Sequence, residues 1–258
     1  MRQGLVNTII IVDFYGMTWI DANLTALLQA LEYRLQYENN VSLSTDFDFL
    51  FSKFHVLFRN GCLQHKDFIV NDLEKTTIPS IQFHPSATKE FSDYIQMQLM
   101  GNMGMNYIEK KLKNQIHSDL YEVFQNILKH ARTELPCFIC GQYYPSQKCF
   151  MLTIVDLGVG FLLPYYEATK GQVRADIDAI KLAISGRSSK VINPAQEIGG
   201  LGLSGILDYC QKNKGVFQIY SGTDYWGTDL DNYFPESYVK AKYNFKGSVL
   251  NMAFKVAS

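Results

Sequence analysis

The chain has 258 residues, 47% hydrophobic and 19% charged, with a formal net charge of −1. This is the composition of a folded globular protein with room for one large or two small domains, and it gives no electrostatic reason to expect nucleic acid or an anionic membrane as the main partner. The run NTIIIV is too short to span a bilayer and stops at Asp13, so neither a signal peptide nor a membrane helix is expected and the setting reads as cytoplasmic.

In chain order, LVNTIIIVDFYG reads as a strand entering a turn. Asp21 or Asn23 is expected to cap the following helix, LTALLQALEYRLQ, whose leucines keep helical spacing. NNVSLS is a short strand, and DFDFLFSKFHVLFRN reads as one apolar helical segment. This β-α-β-α order predicts a small α/β unit over residues 1–75.

From residue 76 on, EKTTIPSIQF reads as a connector and a strand. The helices ATKEFSDYIQMQLM and YIEKKLKNQIHSDLYEVFQNILKHA follow, separated by the glycines of GNMGM. Two strands, 137–144 and 149–155, flank the turn PSQK. Cys137 and Cys140 form a CxxC with Cys149 nearby, but along a strand they point to opposite faces and no matching second pair exists. The five cysteines, an odd number with no secretory signal, therefore read as reduced thiols, buried rather than zinc-binding. ADIDAIKLAIS is helical, a Gly-rich segment opens the helix LSGILDYCQKN, and GVFQIYSG and GSVLNMAFKV close the chain as strands. Residues 76–258 thus read as helices on a mostly antiparallel sheet, a two-layer α/β sandwich.

Three motifs carry chemistry. On the helix, Glu122, Asn126 and His130 recur every four residues, which at about 100° per residue gathers them within roughly 80° on one face. Leu120, Val123, Phe124, Ile127, Leu128 and Ala131 form the apolar stripe opposite. The bland reading is a solvated face; the chemical one is a carboxylate and an amide oxygen holding a metal-bound phosphate and orienting a water. Asp156, Gly158 and Gly160 close the strand MLTIV, where an Asp accepts from an exocyclic amine and glycines let a flat ring approach the backbone; a plain β-turn is the alternative. In EIGGLGLSGILDYC, Gly199, Gly200 and Gly202 precede and enter a helix whose free N–H groups and dipole favour phosphate; a flexible loop with a glycine-rich helix start is the alternative.

E-x3-N on a helix, D-x-G-x-G after a strand and G-x-G-L before a helix, in that order, resemble the GHKL ATPase superfamily (gyrase, heat-shock chaperone, histidine kinase and MutL ATPases) from about Pro79 to the C-terminus. The resemblance implies the Bergerat ATP-binding fold with ATP and magnesium as ligands. It makes Glu122 the general base or water-orienting carboxylate and Asn126 the magnesium-binding residue. Asp156 becomes the adenine reader, Gly158 and Gly160 the adenine floor, and Gly199, Gly200, Leu201 and Gly202 the segment closing over the phosphates. Ser248 stands where many members have a Thr that helps hold the Asp and an ordered water. His130 resembles a His that often ends the helix motif, either as a ligand contact or as a packed neighbour. The family's fullest glycine box begins with a glycine where this chain has Ile198, and the lid would run from Phe161 to Ile198, where Gly186, Arg187, Ser188 and Lys190 either reach phosphate or, the favoured reading, are simply solvated.

Residues 1–75 resemble a STAS-like unit of the anti-anti-sigma type, although Ala22 stands where phosphorylatable members carry Ser after the Asp. The function implied is a Mg-ATP-binding, slowly hydrolysing regulatory switch that relays nucleotide state to a protein partner or a second copy. The alternatives are a serine kinase of the anti-sigma type and a non-hydrolysing nucleotide-sensing scaffold. A histidine kinase is disfavoured because His117 lies too close to the motif helix and lacks a preceding hairpin.

Overall fold

The computed structural model describes residues 5–64, 66–186, 201–230 and 237–256, the side chain of Leu201 excepted. The chain opens with β1 (Thr8–Ile11), a 3-10 turn at Ala22–Leu24, α1 (Thr25–Asn39) and β2 (Val41–Ser44). β1 and β2 pair in parallel, Thr8 opposite Val41, with α1 as the crossover. α1 ends where Asn40 turns left-handed at φ 53°. Neither expected cap forms: Asp21 makes no cap bond and instead accepts from the indole of Trp19 at 2.8 Å. Asn23 is buried and donates to Thr153 at 2.8 Å and Asn251 at 2.7 Å, two sheet residues. A tertiary use has overridden the local one.

The segment expected as a single helix divides into α2 (Phe47–Lys53), capped by Asp46 accepting from the N–H of Phe49 at 2.9 Å, and α3 (His55–Arg59). Phe54, at φ −129° and ψ 58°, breaks the run between them, and Leu50, Phe54, Leu57 and Phe58 close a small aromatic-rich core.

Next come β3 (Thr77–Phe83), α4 (Thr88–Tyr94) and the long α5 (Lys110–His130). β4 (Cys137–Tyr144) and β5 (Cys149–Asp156) follow, joined by a tight turn at Pro145–Gln147, then α6 (Leu162–Ala168), α7 (Asp176–Ile184) and α8 (Leu201–Lys212). β6 (Val216–Gly227) and β7 (Tyr238–Lys255) end the fold. β3 to β7 form one antiparallel sheet in the order β3-β4-β5-β7-β6. The architecture is therefore mixed α/β around a five-stranded antiparallel sheet.

Both faces of the central strands are covered, so β4 and β5 read as nearly continuous apolar runs rather than as alternating ones. On one face, Ile116, Leu120, Val123, Phe124 and Ile127 of α5 pack on Cys137, Ile139, Phe150, Leu152 and Ile154, and Phe124 stacks on Phe91 at 4.2 Å. On the other face, Ala26 and Ala30 of α1 meet Phe138, Cys140, Val155 and Leu157. Cys137 and Cys140 thus lie on opposite sides of one strand, a geometry in which they cannot ligate the same ion. Among the described residues no helix is long and apolar enough to cross a membrane.

Candidate functional site

α5 lies across the sheet so that its C-terminal half passes beside the end of β5. Between them opens a small cleft, partly open to solvent. Asn126, His130, Asp156, Gly160 and Ser248 line it together, although they come from α5, the end of β5 and β7. Its walls are apolar: Val123, Ile127 and Ala131 from α5, Leu203 from α8, Leu250 from β7, and Phe161, Pro164, Tyr165 and Ala183 from the segment carrying α6 and α7. The start of α7 is fastened to β6 by reciprocal bonds: Asp176 accepts from the N–H of Thr223 at 3.0 Å, and Asp224 from the N–H of Ile177 at 2.9 Å.

Asp156 is the buried polar centre, 5% exposed. One oxygen accepts from the N–H of Gly158 at 2.8 Å and the other from the hydroxyl of Ser248, its cross-strand partner. Burial pushes this carboxyl above its ordinary range, while the hydroxyl of Ser248, the N–H groups of Gly158 and Ser248 and the charge of Arg34 pull it back. Burial still outweighs them, but each of these neighbours donates or is cationic, so both carboxyl oxygens serve as acceptors here. Gly158 cannot be replaced without moving backbone, because a Cβ there would lie 2.3 Å from the carbonyl oxygen of Ala131, where α5 ends. The next N–H, of Val159, donates to that same oxygen at 2.9 Å. The loop after Asp156 is thereby welded to the helix that carries Asn126 and His130.

Glu122 is half-buried one turn from Asn126 but does not line the cleft. Its stem faces α8: a Cβ at Gly202 would come within 2.9 Å of the Glu122 Cβ and 2.8 Å of the carbonyl oxygen of Asp119. Gly202 is accordingly a packing glycine between α8 and α5. Asp119, one turn before Glu122, is buried against Gly205 of α8 and accepts from Gln115 at 2.8 Å. Gly199, Gly200, Arg187, Ser188 and Lys190 lie outside the described residues, as does the side chain of Leu201, whose backbone opens α8. Gly186 is described and faces the hydroxyl of Ser204. His117 lies away from the cleft, with Nε2 3.4 Å from the hydroxyl of Ser92.

Motif reading did not single out the apolar wall or Arg34, whose guanidinium touches the loop behind Asp156. The wall residues belong to ordinary amphipathic patterns, and the hydrogen bonds of Arg34 go to carbonyls more than a hundred residues away. Comparison with protein-family models, curated proteins and solved structures found no match to this chain.

Proposed function

We propose that the cleft binds Mg-ATP and that the protein is a slowly hydrolysing, nucleotide-controlled switch of the GHKL type. The observation that carries this reading is the meeting of Asn126, His130, Asp156, Gly160 and Ser248, from three sequence-distant segments, around one cleft with a buried acceptor at its inner end. A purine would suit this lining: the apolar walls would take its faces, and Asp156, held by Ser248 and Gly158, would accept from an exocyclic amine. The triphosphate would be held from α5, where Asn126 lines the cleft.

Magnesium typically takes one or two protein oxygens and completes its shell with phosphate and water. The single amide oxygen of Asn126 on this cleft suits that demand, and the ion when bound would neutralise phosphate charge. Glu122, one turn further out, would orient or deprotonate the attacking water. The segment with Phe161 and Tyr165 excludes bulk water from the base. α1, on the far face of the same sheet, would relay nucleotide state to a protein partner or a second copy.

The test is purified full-length protein with ATP and magnesium, followed for bound nucleotide, released phosphate and label transferred to protein. ATP binding with slow phosphate release is expected. Glu122→Ala should keep binding and lose turnover by on the order of 100-fold, whereas Asn126→Ala should lose the magnesium-dependent part of binding. Failure to bind ATP would overturn the reading, and label transfer without free phosphate would replace the hydrolytic switch with a kinase.

A further inference from the structure

We propose that Arg34, on the N-terminal helix α1, is a positioning residue for the base-reading carboxylate Asp156, so that the first helix of the chain is a working part of the nucleotide site. The inference rests on the functional reading above for the word nucleotide, but its geometry is independent of it. From the sheet face opposite the cleft, Arg34 sends its guanidinium to where β5 ends beside β7, and there Nη2 donates to the carbonyl of Leu157 at 2.7 Å and Nη1 to the carbonyl of Lys246. Leu157 directly follows Asp156, and Lys246 lies two residues before Ser248, the hydroxyl that holds Asp156. One rigid fork therefore ties the end of β5, which carries the acceptor, to the middle of β7, which carries its partner, from outside the cleft and without occupying it.

The arrangement is costly enough to need a reason. The side chain of Arg34 is only 13% exposed, with Nε 3.4 Å from Glu38 and the guanidinium 6.0 Å from the ring centre of Phe245. An arginine remains protonated at ordinary pH, so a full charge is buried here. A lysine would offer a point charge without the planar fork that spans two carbonyls. The charge also acts on Asp156 and opposes the burial that raises its carboxyl. The other groups around Asp156 are the hydroxyl of Ser248 from β7, the thiol of Cys137 from β4 and the imidazole of His130 across the cleft. The first two are neutral at ordinary pH, so Arg34 is the fixed cation of the set.

The experiment uses the full chain and Arg34→Met, which keeps bulk and removes charge and fork, with Arg34→Lys as the conservative variant. ATP and GTP are titrated with magnesium across pH, and the Asp156 carboxyl is followed by carbon NMR in nucleotide-free protein. Arg34→Met is expected to bind ATP about tenfold more weakly, the scale of one hydrogen bond to a charged group. Its ATP-over-GTP preference should shrink, and both the acid limb of binding and the Asp156 titration should move to higher pH; Arg34→Lys should restore the titration and only part of the preference. A folded Arg34→Met with a lower melting temperature but unchanged preference and unchanged Asp156 titration overturns the proposal, leaving Arg34 structural. If Arg34→Met fails to fold, Arg34→Lys decides alone: undiminished ATP preference overturns it. If the unaltered protein binds neither nucleotide, the functional reading fails, and the carboxyl titration still decides whether Arg34 governs Asp156.

Discussion

Two buried carboxyls, Asp156 and Asp119, make opposite demands at the scale of single residues. Asp156 is surrounded by donors, so it serves as an acceptor. Asp156→Asn keeps the shape but replaces one acceptor oxygen with an NH2 that must face a hydroxyl, an N–H or the incoming amine. A mismatch of this kind costs about 1–3 kcal/mol, so ATP affinity should fall by roughly tenfold or more while GTP binding changes little; equal losses for both would remove Asp156 from base recognition. Asp119 is different. Burial pushes its carboxyl up to about 6, the charge of Glu122 adds to this, and the amide of Gln115 holds it back. Because the folded state keeps the proton longer than the unfolded chain, stability from this group is full below about pH 4 and is lost as pH rises through about 6. Asp119→Asn keeps the bond from Gln115 and never ionises. Its melting temperature should match the parent near about pH 4 and exceed it at about pH 8; a variant less stable at the higher pH would mean that ionised Asp119 is held by a favourable partner.

Among the elements, α5 and α8 approach each other through two glycines. A Cβ at Gly202 would press on the backbone of Asp119, and one at Gly205 would lie 2.6 Å from its carboxyl oxygen. In an open helix, Gly→Ala stabilises by up to about 1 kcal/mol, whereas overpacking a tight contact costs about 1–3 kcal/mol. Gly202→Ala should therefore lower the melting temperature, and an increase would show that α8 does not rest on α5. The elements were unevenly legible from sequence. α5 was plain because its apolar residues repeat at helical spacing over five turns, and β4 and β5 because they are continuous apolar runs between turn residues. The break between α2 and α3 was not, since Phe54 continues an apolar run and nothing local marks the change of direction. β6 and β7 extend beyond the expected segments as a two-stranded ribbon, Asp224 opposite Lys240 and Trp226 opposite Tyr238, where polar residues hide the strand signal. The polar residues of the cleft could be named from motif spacing because each motif is local. Arg34 and the Asn23 bonds could not, because their partners meet only when the chain folds.

Across the whole molecule, the N-terminal segment supplies the cover for one face of the sheet. Ala26 and Ala30 of α1 are fully buried on Phe138, Cys140, Val155 and Leu157, and their small size lets the helix sit close to the strands. Asn23 and Asn60 extend this contact as polar anchors, Asn23 to Thr153 and Asn251, and Asn60 to the hydroxyl of Thr25 at 3.1 Å. Asn60 also returns to the sheet edge, where its carbonyl accepts from the N–H of Ser80 at 2.7 Å. A fragment beginning at residue 76 would expose that apolar face and strand Thr153 and Asn251 without their amide partner. Large exposed apolar patches drive association, so this fragment should express as aggregate or bind a hydrophobic dye strongly. Co-expression with residues 1–75 as a separate chain should recover soluble complex if packing alone joins the two. Gel filtration and thermal melting of the three samples decide the matter. A fragment that is monomeric and melts at the temperature of the full chain would mean that the far face of the sheet is stable uncovered, and that α1 is an appendage rather than the second wall of the core.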